Sequence, residues 1–403
     1  MKIKGFLIKA TALSLFASTA IYATNGDSLI GVGAKTRAMG GAGIALSHGA
    51  ESTLVNPASI TFVKESQVSF GGTIFIPSIE TDIGPSGTYK KSDADLSIIP
   101  EVAIVSQIMP NIYLGVGMYG TAGMGTDFRG NATLMDMETT LQLMQFAVPI
   151  AYKSGGFSIG ISPILQYGSL DIHYTHPNPA VGTVSPGQTQ DFGFGASIGL
   201  TYDFGNGFIV GAVYKSKIKM KYDRVLSTAT APFKAIPGFP NIGDHLDQPA
   251  EAGVGISYNN GPHTIALDYK RIFWSNATGY KEFGWKDQDV IALGYEYAQD
   301  NWALRLGYNY GSEVIKINAG TGADMAGAAL NMFNLLGFPA TAKHHITAGG
   351  SYKFSENFSA DLAIVYSPKV TTTANISALG MGANQIKNTH SELGATIQFN
   401  YKF

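Results

Sequence analysis

The chain has 403 residues, of which 14% are charged and 11% aromatic, with 49 glycines, no cysteine and a formal net charge of -2. That balance gives no electrostatic reason to expect nucleic acid or an acidic partner. No window beyond the N-terminus supplies the ~18 uninterrupted apolar residues of a membrane helix, whereas low charge with abundant Gly, Tyr and Phe suits an outer-membrane barrel, whose alternating strands dilute the hydropathy signal.

In chain order, Lys2, Lys4 and Lys9 precede the apolar stretch "ATALSLFASTAI". A basic start, a short apolar core and small residues at Ser18, Ala20 and Ala23 predict a signal peptide over 1–23, with the mature start at Thr24 and cleavage after Ala20 as the alternative. Residues 24–66 do not alternate like strands. They are glycine-dense ("GVGAKTRAMGGAGIA") and end on "STLVNPASITF", in which Asn56-Pro57 is a turn-forming pair.

From residue 67 the period changes to two. In "QDFGFGASIGLTYDF", Phe192, Phe194, Ala196, Ile198, Leu200, Tyr202 and Phe204 share one face, opposite small and polar residues. The same reading predicts strands near 67–80, 95–108, 112–122, 138–153, 157–172, 190–204, 207–223, 249–259, 263–274, 286–299, 301–314, 343–354, 357–370 and 389–403. Every second connection is tight ("MPN", "SGG", "GNG", "NNGP", "QDN", "SEN") and those between are long. An even strand number with short turns on one side and long loops on the other is the pattern of an up-and-down outer-membrane barrel, and a sandwich has no reason to sort its loops this way. The expected fold is therefore all-β, a 14-stranded antiparallel transmembrane β-barrel over 67–403. Its lumen is too wide for wall side chains to fill, so residues 24–66 are expected to form a hatch that plugs it.

Catalytic and metal patterns dissolve on inspection. "GASIG" (Gly195 to Gly199) fits a nucleophile elbow, but Ser197 lies mid-strand, and no helix follows "GVGMYG" (Gly115 to Gly120) to hold a pyrophosphate. His173 and His176 have metal-compatible spacing without a carboxylate or cysteine set. No cofactor is implied, and the chain reads as a non-enzyme. Two long loops are instead apolar: Thr230 to Leu246 carries Phe233, Ile236, Phe239 and Ile242, and Ala323 to Phe338 reads as a short helix with Phe333 and Leu336. They are expected to form a binding surface, to cap the barrel, or both. In the third strand Gly120, Gly123 and Gly125 weaken ladder pairing and permit a bulge or bend.

The hatch stretch "RAMGGAGIA" with "NPA", the stretch "GWKDQDVIALGYEYAQDNWALRLG" and the end "FNYKF" make the chain resemble the FadL/TodX outer-membrane transporters of long-chain fatty acids and other hydrophobic compounds. The resemblance implies a monomeric barrel with an N-terminal hatch, here carrying Arg37, Gly40, Gly41, Asn56, Pro57 and Ala58. It implies a groove between extracellular loops, an apolar lumen pocket and sideways release into the membrane at a kinked third strand. It also implies a lumenal lysine for a ligand carboxylate at Lys281, and a second basic position near Ile172 and His173, where this chain departs from the pattern. The partners expected are a fatty acid or hydrocarbon and outer-membrane lipid with lipopolysaccharide, which blocks direct partition of apolar solutes. The barrel assembly machinery, reading the terminal Phe403, is a further expected partner. Burial of an acyl chain at roughly 0.8 kcal/mol per methylene suffices for capture without energy input. A diffusion porin for small polar solutes, an outer-membrane lipid hydrolase and an adhesin or receptor barrel, to which the apolar loops would point, are the alternatives. The first needs an open lumen and the second a Ser or Asp/His arrangement that the sequence does not offer.

Overall fold

The computed structural model describes residues 24–84 and 87–403, so the expected signal peptide lies outside the described residues. Fourteen wall strands follow residue 66: β1 (Gln67–Ile83), β2 (Ser97–Met109), β3 (Ile112–Asp127), β4 (Glu138–Ala147 continued by Ile150–Ser154), β5 (Phe157–Thr175), β6 (Thr189–Asp203), β7 (Phe208–Lys215), β8 (Glu251–Asn260), β9 (His263–Ile272), β10 (Gln288–Ala298), β11 (Trp302–Gly311), β12 (His344–Lys353), β13 (Phe358–Asn375) and β14 (Gln385–Lys402). Each pairs antiparallel with its neighbour, and β14 closes the wall on β1 from Ile386↔Ile83 to Lys402↔Gln67. Closure leaves no sheet edge to satisfy, which a bilayer requires.

The alternation sorts side chains as expected of a membrane wall. Phe194, Ile198, Leu200, Leu304, Leu306, Leu362 and Ile364 face outward and exposed, while Glu101, Gln166, Asp268, Arg305, Asp361 and Gln398 point inward and are buried. Aromatics cluster near the short-turn end: Phe208 meets Tyr258 at 4.3 Å, Tyr202 meets Phe204 at 4.8 Å, and Phe358 stacks on Phe399 at 6.0 Å. Amphipathic rings at that level are the interfacial girdle of such barrels.

Several boundaries shift by up to five residues, as in β13, which runs to Asn375 against an expected 370, and two of the differences bear on the lumen. The seventh strand, expected over 207–223, leaves the ladder after Lys215↔Glu251. Residues 216–222 still alternate, with Ile218, Met220 and Tyr222 fully buried, but they form a ribbon held by isolated bridges Ile218↔Gln248 and Lys221↔His245. The ribbon packs on Gly193 and Gly195 of β6. Period two marks an extended chain with one buried face, whether or not that chain belongs to the wall. The third strand, expected to end at 122, runs on to Asp127 with its last nine residues all buried, because its upper half turns into the lumen.

Candidate functional site

Residues 24–66 lie inside the wall. Helix α1 (Ala34–Ala38) places Arg37 fully within the lumen, where Nη1 is 3.2 Å from Glu101 Oε2 of β2 and 3.2 Å from Thr396 Oγ1, and Nε donates to the Gly31 carbonyl at 3.0 Å. A buried guanidinium needs such partners to offset its lost hydration. Glu101 also accepts Gly33 N–H at 3.2 Å. Nearby, burial pushes the Glu51 carboxyl up to about 8. Gly40 and Gly41 adopt φ of 68° and 91°, and a Cβ on Gly40 would lie 2.7 Å from the Tyr308 carbonyl oxygen, so the turn seats directly on β11. Asp268 Oδ2 accepts Gly43 N–H at 2.7 Å and Ile44 N–H at 2.8 Å. Asn56 caps the 3-10 turn Pro57–Phe62 by accepting Ala58 N–H, and its amide donates to the Ile44 carbonyl at 2.7 Å. The wall answers with inward glycines: a Cβ on Gly307 would sit 2.2 Å from Gly40 N, and one on Gly160 2.5 Å from the Pro57 carbonyl carbon.

Between this segment and the wall lies a cavity of about 110 Å³. Its apolar side is Leu29, Ile30, Val32 and Leu54 with Val290 and Ala292. Its polar side includes Gln145, Asp268, Asn309 and the trio Lys215, Glu251 and Lys270. Glu251 bridges both lysines, at 2.9 Å to Lys215 and 3.0 Å to Lys270.

At the long-loop end the two apolar loops pack on one another. Phe233 touches Phe333 at 5.2 Å, Phe239 at 5.7 Å and Tyr174 of β5 at 6.4 Å, and Leu336 is fully buried in the same cluster. Helix α2 (Met325–Gly337) is held by Asp324, which accepts Gly327 N–H, and by Asn334, whose amide donates to the Phe283 carbonyl at 2.9 Å. Between the loops runs a groove of about 770 Å³, lined by Met135, Phe233, Ile236, Met325, Met332 and Met381 among others. Phe333 continues to Phe283 at 5.9 Å and so to an aromatic neck in which Trp274, Tyr280 and Trp285 lie 4.7–5.0 Å apart. Tyr280 and Gln248 donate to the Asp27 carboxylate, which burial pushes up to about 6.

The ladder between β2 and β3 is incomplete. It stops at Glu101↔Tyr119, and a bulge at Thr121 shifts the register of β3 with β4 between Gly120 and Ala122. Beyond it β3 pairs inward: Ala122 with Ser28, and Gly123 N–H to the Asp27 carbonyl at 3.0 Å. Gly120 lies against Ile99 of β2, and Gly125 so close to Thr139 that a Cβ would lie 2.0 Å from its carbonyl oxygen. Thr121 and Ala122 also line the lumen cavity.

The structure brings Phe233, Phe239, Phe333 and Leu336 together but leaves two expected ligand residues outside. Lys281 is exposed and pairs with Glu282 at 3.4 Å. His173 faces away from the aromatic cluster, opposite Glu138 on β4, and the histidine that reaches Phe233 is His176, at 5.5 Å. Parity along β5 explains the difference, since Tyr174 and not His173 points inward. The Lys215–Glu251–Lys270 trio and Thr121 carried no sequence signal, because their neighbours come from other strands.

A closed wall with an apolar outer face, a polar lumen occupied by the chain's own N-terminal segment and long loops gathered at one end define an outer-membrane transport barrel. The family model described as outer membrane protein transport protein (OMPP1/FadL/TodX) matches residues 10–403. The chain belongs to that family and is a multi-pass β-barrel of the cell outer membrane. It is 23% identical over 389 residues to a 47 kDa outer membrane protein of Pasteurella multocida, covering 89% of this chain and 90% of that one. An uncharacterized Chlorobium limicola protein, encoded in the 5' region of the phosphoenolpyruvate carboxykinase gene, is 41% identical over 96 residues, so the match spans 22% of this chain and less than half, 46%, of that protein. The crystal structure of the Pseudomonas putida toluene transporter TodX superposes with a TM-score of 0.67 at 18% identity, covering 93% of this chain and 99% of that one, a likeness of fold.

Proposed function

We propose that the protein carries hydrophobic compounds, long-chain fatty acids or hydrocarbons, passively across the outer membrane. Solute is captured in the methionine- and phenylalanine-lined groove, passes the aromatic neck into the lumen cavity, and leaves sideways into the bilayer between β2 and β3. In this reading residues 1–23 are a signal peptide, 24–66 a hatch that stops leakage of polar solutes, and 67–403 a monomeric barrel whose terminal Phe403 is read by the assembly machinery. The observation that carries the proposal is the coincidence at Thr121 and Ala122, which belong both to the cavity lining and to the place where β3 leaves β2. Hydrophobic burial supplies the capture energy, so a downhill gradient suffices.

The chain has no cysteine, so the exit can be stapled selectively. A Cβ on Gly120 would lie 3.8 Å from Ile99 Cβ, a separation that suits a disulfide. Cells carrying Ile99→Cys/Gly120→Cys should lose uptake of a labelled hydrophobic substrate when oxidised and regain it on reduction, at constant surface expression. Equal uptake in both states would mean that substrate leaves past the hatch into the periplasm.

A further inference from the structure

On the polar side of the lumen cavity, four buried oxygens find no hydrogen-bond partner among the described residues. Thr121 Oγ1, Gln145 Oε1, Asp268 Oδ1 and Asn309 Oδ1 are all in this state, on residues no more than 9% exposed that line the cavity. Their own bonding fixes what they offer. The Asn309 amide nitrogen is committed to the Gly40 carbonyl at 2.9 Å, so its oxygen is the free end, and the Gln145 nitrogen is committed to Gln166 at 2.7 Å. Asp268 spends one carboxylate oxygen on two N–H groups of the N-terminal segment and keeps the other. A buried acceptor without a donor is costly, so a ligand that brings a donor gains what an apolar ligand cannot.

Charge points the same way. The lining carries Lys215 and Lys270 against Glu251 and Asp268, and both lysines are engaged by the one carboxylate of Glu251. An incoming carboxylate would have to displace Glu251 and approach Asp268. The volume of about 110 Å³ is of the order of the roughly 150 Å³ engineered cavity that holds benzene. We propose, building on the transport reading above, that this cavity is a selectivity site for small uncharged amphipathic molecules, single-ring or short-chain compounds with a hydroxyl. The ring or chain packs on Leu29, Ile30, Val32 and Leu54 while the ligand hydroxyl donates to Gln145 Oε1 and accepts from the Thr121 hydroxyl.

The test uses the purified full chain in detergent and the near-isosteric pair phenol and toluene, with benzoate as the charged probe, measured by calorimetry or saturation-transfer NMR. Thr121→Val and Gln145→Leu should each weaken phenol and tighten toluene, moving the ratio of their dissociation constants by about tenfold for the loss of one hydrogen bond. Thr121→Ser should restore the wild-type ratio, which a variant that merely misfolds cannot do. A ratio that does not move, phenol and toluene weakening together without rescue by serine, or benzoate binding tighter than phenol would each overturn the proposal. Toluene uptake that depends on the protein, combined with an unmoved ratio, sinks the selectivity site alone. The expected ratio shift without any protein-dependent uptake sinks the transport reading and leaves the site standing.

Discussion

The Arg37–Glu101 pair gives the sharpest test of how the N-terminal segment is held. Replacing Arg37 with Met keeps much of the side-chain volume, but it leaves the Glu101 carboxylate buried with only the Gly33 N–H at 3.2 Å. It also frees the Gly31 carbonyl from its 3.0 Å donor. Breaking one partner of a buried ion pair costs about 3–5 kcal/mol. At 1.4 kcal/mol per tenfold, the ratio of seated to unseated segment should fall by roughly a hundred- to several-thousand-fold. The wall does not share that loss, because its strands are held by their own ladders. In planar bilayers the wild type should be quiet and Arg37→Met should show bursts of ion current. A chain lacking residues 25–49 supplies the fully open reference. Adding Glu101→Gln removes the stranded charge and should suppress most of the bursts. If Arg37→Met is as quiet as wild type, or if the second change leaves the bursts untouched, the pair is not what seats the segment.

Two further outcomes follow from the same geometry. Glu51 holds a proton when seated, its carboxyl raised to about 8, and releases it at its ordinary value near 4.5 when exposed. Seating therefore weakens as pH rises from about 4.5 to 8 and no further above that, so leak current should climb over this window, and Glu51→Gln should flatten the profile. Epitope tags at Gly238 or Gly322, in the exposed long loops, should be labelled on intact cells, whereas tags at Asn206 or Asn259, at the tight-turn end of the barrel, should not; labelling of the second pair would invert the barrel.

The strand count, the sorting of turn lengths and the apolar loops were legible because each is a property of consecutive residues. Phe192 to Phe204 declares an outward face with no knowledge of any partner. The same logic fails at 216–222, where alternation persists in a ribbon that has left the ladder. Motif likeness located Lys281 but not its direction, and a loop lysine is free to turn outward to Glu282. Lys215, Glu251 and Lys270 meet only because β7, β8 and β9 are in register, with Lys215 opposite Glu251 and Glu251 opposite Ile272. The wall glycines were equally silent, since the backbone that Gly307 admits belongs to Gly40, far away in sequence.

The bend in β3 and the N-terminal segment support one another at residues 27–28. A strand that peels from its neighbour leaves backbone N–H and C=O groups to be satisfied, at about 1–3 kcal/mol for each one stranded. Here β3 leaves β2 above Tyr119, and residues 27–28 take the place of the missing neighbour, through Ser28↔Ala122 and the Asp27 carbonyl. The same Asp27 is fastened at the neck by Tyr280 and Gln248. The segment thus has two separate anchorages, one near residues 27–28 that holds β3 turned inward, and one near Arg37 that closes the lumen on the wall. Arg37→Met releases the second and leaves the first. Cells carrying it should become permeable to polar solutes and still take up hydrophobic substrate, because the bend in β3 survives. Loss of hydrophobic uptake in parallel with the leak would mean instead that the two anchorages move together, and that the bend in β3 depends on the whole segment being seated.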